Sequence, residues 1–346
     1  MSERRLYLDI GLGESRGVVT LDGRPERLII LRDDDPPRLS LGARLRARVR
    51  KVEPALGSAF LDLGEGAEAM LAFKPEARPV EGQALEIEIR TEPRRGKLAT
   101  VRLLGPAEGA PALLAPAPDL ADQLQAFVRD ARPVTGRAAR EMADEAEAEA
   151  LDVLHALPGG GTLAIEPTRA LTAIDIDLGE RKGQDAKRVT RQANLAAMGV
   201  IARLLRLKSL GGLVVVDLVG RGHDGTALMA AARAAFGPDN PGVAIGPVGR
   251  FGTMELAIPR RTRPLDERLR RDDGALSDRT LAQRLIRAIE AEAMSQPGGR
   301  VRAACAPAVA AAAKPLADLL AQKIGARFTI ALDPAVPRDR LDIGQA

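Results

Sequence analysis

A chain of 346 residues has room for two or three domains, each with its own core. Hydrophobic residues make up 45% and charged residues 28%, which excludes a disordered or a membrane-embedded class. No apolar stretch reaches the length of a membrane span and the first residues carry no apolar signal region, so a cytoplasmic protein without a membrane partner is expected.

The net charge of +4 suits a polyanionic partner. Cys305 is the only cysteine, which excludes intrachain disulfides and thiolate zinc clusters, and it reads as a small core residue. The two histidines, His155 and His223, lie far apart and make a poor metal pair. Any catalytic metal must then be held by carboxylate oxygen, which favours Mg²⁺ or Mn²⁺ over zinc. Aromatic residues are scarce, with one Tyr, no Trp and six Phe, so base stacking is restricted to a few positions such as Phe60, Phe73 and Phe251.

In chain order, residues 4–31 read as strands joined by tight turns, Asp22-Gly23 being one. The glycines Gly11, Gly13 and Gly17 have the wrong spacing for a dinucleotide fingerprint, and a strand follows them, so they read as a turn. Five short strand-like segments follow, at 43–52, 58–63, 67–71, 84–90 and 98–103, which fits a small OB-type barrel. Strand alternation puts Arg44, Arg46, Arg48 and Arg50 on one face and Leu45, Ala47 and Val49 on the other. The arginines alone would be a solvated face. With Phe60, Lys51, Arg94, Arg95 and Lys97 in the same barrel, they suggest a surface for single-stranded nucleic acid.

Residues 105–118 form a Pro/Ala-rich linker, and helical patterns near 119–130 and 137–156 read as packing elements. The stretch 162–258 carries the chemistry. Strand-like runs at 171–178 and 213–219 flank a helical pattern from Asp185 to Lys208, whose apolar stripe is Val189, Ala193, Ala196, Val200, Leu204 and Leu207. Strand, helix and strand predict a parallel pair, adjacent or nearly so, buried between helix layers. A third helix leads to strands at 243–248 and 253–258 around the turn Gly249-Arg250-Phe251-Gly252. Beyond Pro264, a helix (278–293), a strand (300–306), a helix (308–322) and a strand (326–332) predict a small α/β layer.

Asp175 and Asp217 interrupt the two central apolar runs. One strand-ending Asp is ordinarily a cap, but two on strands joined by a helix, with Asp177 two residues on, suggest carboxylates converging on a divalent cation. Arg181, Lys182, Arg250, Arg260, Arg261 and Arg263 lie nearby in sequence and suit phosphate oxygens.

The motifs Glu166-Pro-Thr-Arg-Ala-Leu-Thr-Ala-Ile-Asp-Ile-Asp177 and Leu210-Gly-Gly-Leu-Val-Val-Val-Asp217 resemble the ribonuclease E/G family. Residues 52–64 of the barrel and Gly249-Arg-Phe-Gly-Thr-Met-Glu-Leu256 extend the resemblance, and it continues more weakly from Thr280. It implies a multidomain α/β fold. An RNase H-like domain (1–38 and a shortened remainder, 105–161) carries an inserted OB-fold barrel (39–104). A DNase I-like domain (162–265) and a small α/β domain (266–346) follow.

The family's metal-binding aspartates fall on Asp175 and Asp217, and its supporting Asn falls on Asp177. One base-stacking aromatic falls on Phe60, and Met70 replaces the other. Phe60, Lys97, Arg46, Arg48, Arg181, Lys182, Arg250 and Phe251 are the expected RNA contacts. No cysteine stands between Arg263 and Thr280, so a monomer or a dimer without a zinc link is expected. The short segment before Thr162 has no 5′-end pocket motif. The resemblance implies a Mg²⁺-dependent endoribonuclease acting on single-stranded, A/U-rich RNA in rRNA or mRNA processing or decay. The alternatives are a catalytically weak or inactive RNA binder of the same fold and a hydrolase of small phosphoesters.

Overall fold

Asp22 and Gly23 both have positive φ (51° and 79°), as a two-residue hairpin loop matching strand twist requires. They join β2 (Glu14–Leu21) to β3 (Arg24–Arg32), and β1 (Arg4–Ile10) completes an antiparallel three-stranded sheet. The computed structural model describes residues 3–180, 185–237 and 242–345. The Gly11–Gly13 region is the β1–β2 turn, closed by Gly11 N–H donating to Glu14 O at 3.0 Å.

A closed, OB-like barrel of five strands follows: β4 (Arg44–Glu53), β5 (Ser58–Gly64), β6 (Ala67–Ala72), β7 (Ala84–Thr91) and β8 (Ala99–Pro106). Alternation fills it as expected, with Leu45, Ala47, Val49, Leu61, Ile87 and Ile89 buried inside. The stretch expected to be linker contains β9 (Ala112–Ala115), which adds to β4. Its four Ala/Leu residues carry no alternation, so only its register with β4 reveals it.

The chain then returns to the first sheet. Helices α1 (Leu120–Gln125) and α2 (Arg137–Leu151) pack on it, so the barrel interrupts one layered unit. The second helix was expected to reach 156. It stops at Leu151, and β10 (Leu154–Ala156) opens a second sheet.

That sheet has the order β10, β11 (Thr162–Pro167), β12 (Thr172–Asp177), β13 (Gly212–Asp217), β15 (Thr253–Ile258), β14 (Ala244–Val248). Between β12 and β13 runs α3 (Ala186–Leu207), capped by Asp185, whose carboxylate accepts from Arg188 N–H at 3.1 Å. β12 and β13 are parallel neighbours, as the crossover required. Helix α4 (Gly225–Phe236) links β13 to β14.

The sheet is not buried on both faces. Ile174, Ile176, Val214, Val216, Met254 and Leu256 point to α3 and join a core that reaches Val18, Leu28 and Ile30 of the first sheet. The alternate residues Asp175, Asp177, Leu213, Asp217 and Glu255 are exposed. Both aspartates therefore lie on an open face, and the apolar flanks that suggested burial belong to the opposite one.

The C-terminal layer holds α5 (Leu265–Leu269), α6 (Asp278–Ser295), β16 (Val301–Cys305), α7 (Pro307–Ile324), β17 (Phe328–Leu332) and β18 (Asp342–Gln345). Cys305 is in its core, where burial pushes the thiol pKa up. This layer joins the first sheet through buried ion pairs. From α6, Arg284 meets Glu147 of α2 at 2.7 Å, Arg287 meets Glu14 of β2, and Glu290 meets Arg140 of α2 at 3.1 Å. Within the first unit, Arg16 is bound by Asp9 at 2.7 Å and Arg32 by Glu14 at 2.6 Å. The acidic side of α2 is thus the counterpart of the arginines on α6.

Candidate active site

Asp175 ends up beside Asp217 because β12 and β13 pair in parallel with those residues in register. Strands in a sheet are about 4.8 Å apart, so both carboxylates stand on the same open face as nearest neighbours. Across the sheet, Ala164 flanks Asp175 and Thr253 flanks Asp217. These residues and Glu166 line a shallow cavity of about 370 Å³. Among the described residues, neither the Asp175 nor the Asp217 side chain has an ion pair or a hydrogen-bonded partner.

The expected third carboxylate does not join them. Asp177 faces the same way but accepts a hydrogen bond from Gly179 N–H at 2.7 Å, which closes the turn after β12. Among the described residues no group of three or more metal-ligating side chains forms. The site is a pair.

Three features shape its rim. Asn194 of α3, which lies off the expected apolar stripe, is buried. It donates to Val219 O at 3.0 Å and accepts from Val219 N–H at 3.2 Å, which fixes the chain just after Asp217. Leu218 N–H donates to Gly252 O at 3.1 Å, which docks the turn 249–252 against the same end of β13. That turn presents Arg250 over the ring of Phe251 at 4.6 Å, with Phe251 78% exposed. It borders a groove of about 1000 Å³ that also includes Arg221, His223 and Arg233. Asp224 caps α4, accepting from Ala227 N–H at 3.0 Å, and pairs with Arg191 at 3.0 Å. The cap bond, with Arg191 behind it, lowers the Asp224 pKa.

Of the residues singled out in the sequence, Asp175 and Asp217 come together, while Arg250 and Phe251 sit on the turn docked after β13 and line a separate groove. Arg181 and Lys182 lie outside the described residues. Arg260, Arg261 and Arg263 do not reach the pair, because β15 runs antiparallel to β13 and carries them to its opposite end.

On the barrel, Phe60 lies between Lys51 and Met70 in register, and Met70 is next to Thr100. Lys97 is exposed in the turn 94–97. Arg46 and Arg48 alternate outward as expected but are engaged locally. Arg46 donates to Ala110 O at 2.5 Å, and Arg48 to Gly82 O at 3.0 Å and Gly109 O at 3.1 Å. Arg44 pairs with Glu86 at 2.5 Å and Arg50 pairs with Glu68.

Sequence reasoning did not select Asn194, Glu166 or Thr253. Glu166 was visible in its motif and Thr253 in its strand, but only the sheet register sets them beside the pair. Asn194 was visible as an amide next to an apolar helix stripe.

The arrangement defines a mixed α/β protein that combines an OB-like barrel with an open-faced sheet bearing a carboxylate pair that has no ion-pair partner among the described residues. Residues 117–261 match the model of the Ribonuclease E/G family, so over this stretch the resemblance read from the motifs holds. The chain is 33% identical to Ribonuclease E of Escherichia coli (strain K12) over 157 residues, 42% of this chain and 15% of that protein. It is 33% identical to Ribonuclease E of Buchnera aphidicola subsp. Acyrthosiphon pisum (strain APS) over 158 residues, 42% of this chain and 17% of that protein. It is also 33% identical to the Ribonuclease E/G-like protein, chloroplastic, of Arabidopsis thaliana over 113 residues, 31% and 11% of the two chains. The matched region therefore spans less than a fifth of each of these relatives. Among the described residues no helix is long and apolar enough to cross a membrane.

Proposed function

We propose that the chain is an endoribonuclease that cuts single-stranded RNA at the Asp175–Asp217 pair and holds the strand on the barrel. The observation that carries this reading is the pair itself, two exposed carboxylates in register with no cation beside either among the described residues. Like charges on neighbouring strands repel, so the arrangement is unfavourable unless a cation joins them. Mg²⁺ is commonly held by one or two carboxylates with water completing its shell, so the donor set fits. Mn²⁺ would fit the same oxygens.

When bound, the ion would supply charge stabilisation at the scissile phosphate and a more acidic water. The chain's own residues do the positioning. Asn194 fixes the strand end that carries Asp217, and Arg250 with Phe251 offers a charged and stacking rim for the RNA backbone and one base. In family terms, the first sheet with α1 and α2 would be the RNase H-like unit and the second sheet the DNase I-like one.

A second reading, RNA binding without turnover, draws on Met70 standing where a second aromatic would stack and on Asp177 being occupied by its turn. Labelled A/U-rich RNA and ribosomal-precursor RNA, incubated with the protein under Mg²⁺ titration, separate the two. The proposal expects metal-dependent products with a 5′-phosphate on the downstream fragment, lost in Asp175→Asn and Asp217→Asn. A gel shift without product would select the binder.

A further inference from the structure

A second cavity, of about 500 Å³, lies at the end of the second sheet remote from the carboxylates. Thr253 stands beside Asp217 and Ile258 beside Gly212, so the two ends of β15 are roughly 17 Å apart at the usual rise of a strand. The cavity sits where the first sheet, α1, the C-terminal end of α3 and the segment after β15 meet. Its floor is apolar, with Ile30, Leu205, Leu210, Phe236 and Ile258, and Phe127 forms one wall with Arg27 stacked on its ring at 4.5 Å.

The arginines around it divide into two groups. Arg206 is neutralised by Glu26 at 2.6 Å and Arg268 by Asp35 at 2.5 Å. Arg260, Arg261 and Arg263 have no carboxylate within ion-pair distance among the described residues. Arg260 donates only to the carbonyl of Gly211, at 2.8 Å, and Nε of Arg263 is buried without a partner. The lining acids are Glu92 and Asp122. Glu92 is engaged, accepting from the backbone N–H of Arg263 at 2.9 Å and from Arg268 at 3.4 Å, while Asp122 lies exposed on α1. Burial, with Arg268 nearby, lowers the Arg263 pKa, and burial, with Arg260 nearby, lowers that of Arg94. Unmatched guanidinium groups over an apolar floor leave an electrostatic need that an amphipathic anion satisfies.

We propose that this cavity binds a nucleoside phosphate, with the phosphate among Arg260, Arg261 and Arg263 and the base on the apolar floor beside Phe127. The volume is within the usual range of small-ligand sites. Planar guanidinium groups suit phosphate oxygens, and the flat ring of Phe127 suits a heteroaromatic base better than an aliphatic tail. The ligand is a free nucleotide or one unit of an RNA strand, since both present the same groups. The proposal does not depend on cutting at Asp175 and Asp217.

The test is equilibrium binding of a fluorescently labelled nucleoside monophosphate to the full chain in EDTA, where metal-dependent cleavage is silent. Unlabelled nucleoside monophosphate, a ten-nucleotide RNA and inorganic phosphate serve as competitors. The nucleotide should compete far better than inorganic phosphate. Arg263→Met should weaken binding by about tenfold or more, the loss of one charge-assisted contact. Phe127→Leu should weaken it about fivefold, whereas the exposed Arg302→Met should leave it unchanged. A decanucleotide that competes more tightly than the mononucleotide identifies a strand unit as the ligand, and the reverse identifies a free nucleotide. Arg263→Lys should retain part of the affinity, and Arg261→Met, at an exposed position, reports on the same cluster if Arg263→Met fails to fold. Absence of binding, equal competition by inorganic phosphate, or full affinity in folded Arg263→Met or Arg261→Met protein would overturn the assignment.

Discussion

At the junction of the first sheet with the C-terminal layer, Glu14 and Glu147 are buried against Arg287 and Arg284 of α6, whereas Asp175 and Asp217 on the second sheet stand side by side with no ion-pair partner among the described residues. Burial explains the first arrangement, because a charge removed from water must be paired. Burial raises the Glu147 pKa, but Arg287, Arg284 and Arg16 outweigh it and hold the carboxyl below its ordinary value. The second arrangement has no structural purpose of that kind. Its carboxylates are exposed, repel one another and contribute nothing to the core. A paired acid marks a joint, and an unpaired pair in register marks a candidate site. The same contrast separates the barrel arginines Arg44 and Arg50, bound to Glu86 and Glu68, from Arg260, Arg261 and Arg263, which have no carboxylate within ion-pair distance among the described residues.

The sharpest way to break this comparison is at the joint. Glu147→Gln leaves Arg284 and Arg287 short of a buried counter-charge and should cost about 3–5 kcal/mol of stability, measured by chemical denaturation. A loss below about 1 kcal/mol would mean that the joint is not a structural lock. Next comes Asn194→Leu, which leaves both backbone groups of Val219 unsatisfied. It should cost about 1–3 kcal/mol for each buried group left bare and should lower RNA cleavage beyond the stability loss, because the end of β13 is freed.

Titration offers a smaller effect with two signs. Glu147 and Asp35 are held below the ordinary carboxylate range, Asp35 because Arg268 and Arg279 outweigh its burial. Their contribution is complete above about pH 4 and is lost as pH falls further. Lys208 behaves oppositely. Burial lowers its pKa to about 8, while the unfolded chain keeps that proton to about pH 10.4. The unfolded state binds more protons in that window, so this group makes stability rise with pH between them. Thermal melts across pH 3–11 compared with Lys208→Met should show the rise only in the parent chain. The smallest effect is expected on the barrel, where Arg50→Met breaks an exposed pair worth less than about 1 kcal/mol. A large fall in RNA affinity in that variant would add Arg50 to the barrel surface proposed to hold the strand.

Much of this was legible in the sequence. The barrel strands, α3 and the C-terminal alternation of helix and strand all follow from local periodicity, whereas Asp185, read as the start of that helix, is its cap. The parallel pairing of β12 with β13 follows from the length of the crossover. Long-range partners were not legible. Asp175 and Asp217 were recognisable as unusual, but which face they occupy depends on the side that α3 packs. Asp177 shares that face by spacing, yet the turn after it claims its carboxylate. Arg260, Arg261 and Arg263 follow the site's strand in sequence, and its antiparallel direction carries them away. The acidic pattern of α2 has no meaning until α6 brings arginines to it.

The central claim is that Asp175 and Asp217 together form one cation site. Titration of Mn²⁺ against the purified chain, followed by electron paramagnetic resonance, tests it directly. The account predicts one Mn²⁺ retained per chain, displaced by Mg²⁺, and its loss in both Asp175→Asn and Asp217→Asn while the melting temperature without metal is kept or raised by relief of repulsion. Equal Mn²⁺ uptake by the parent and both variants would contradict it.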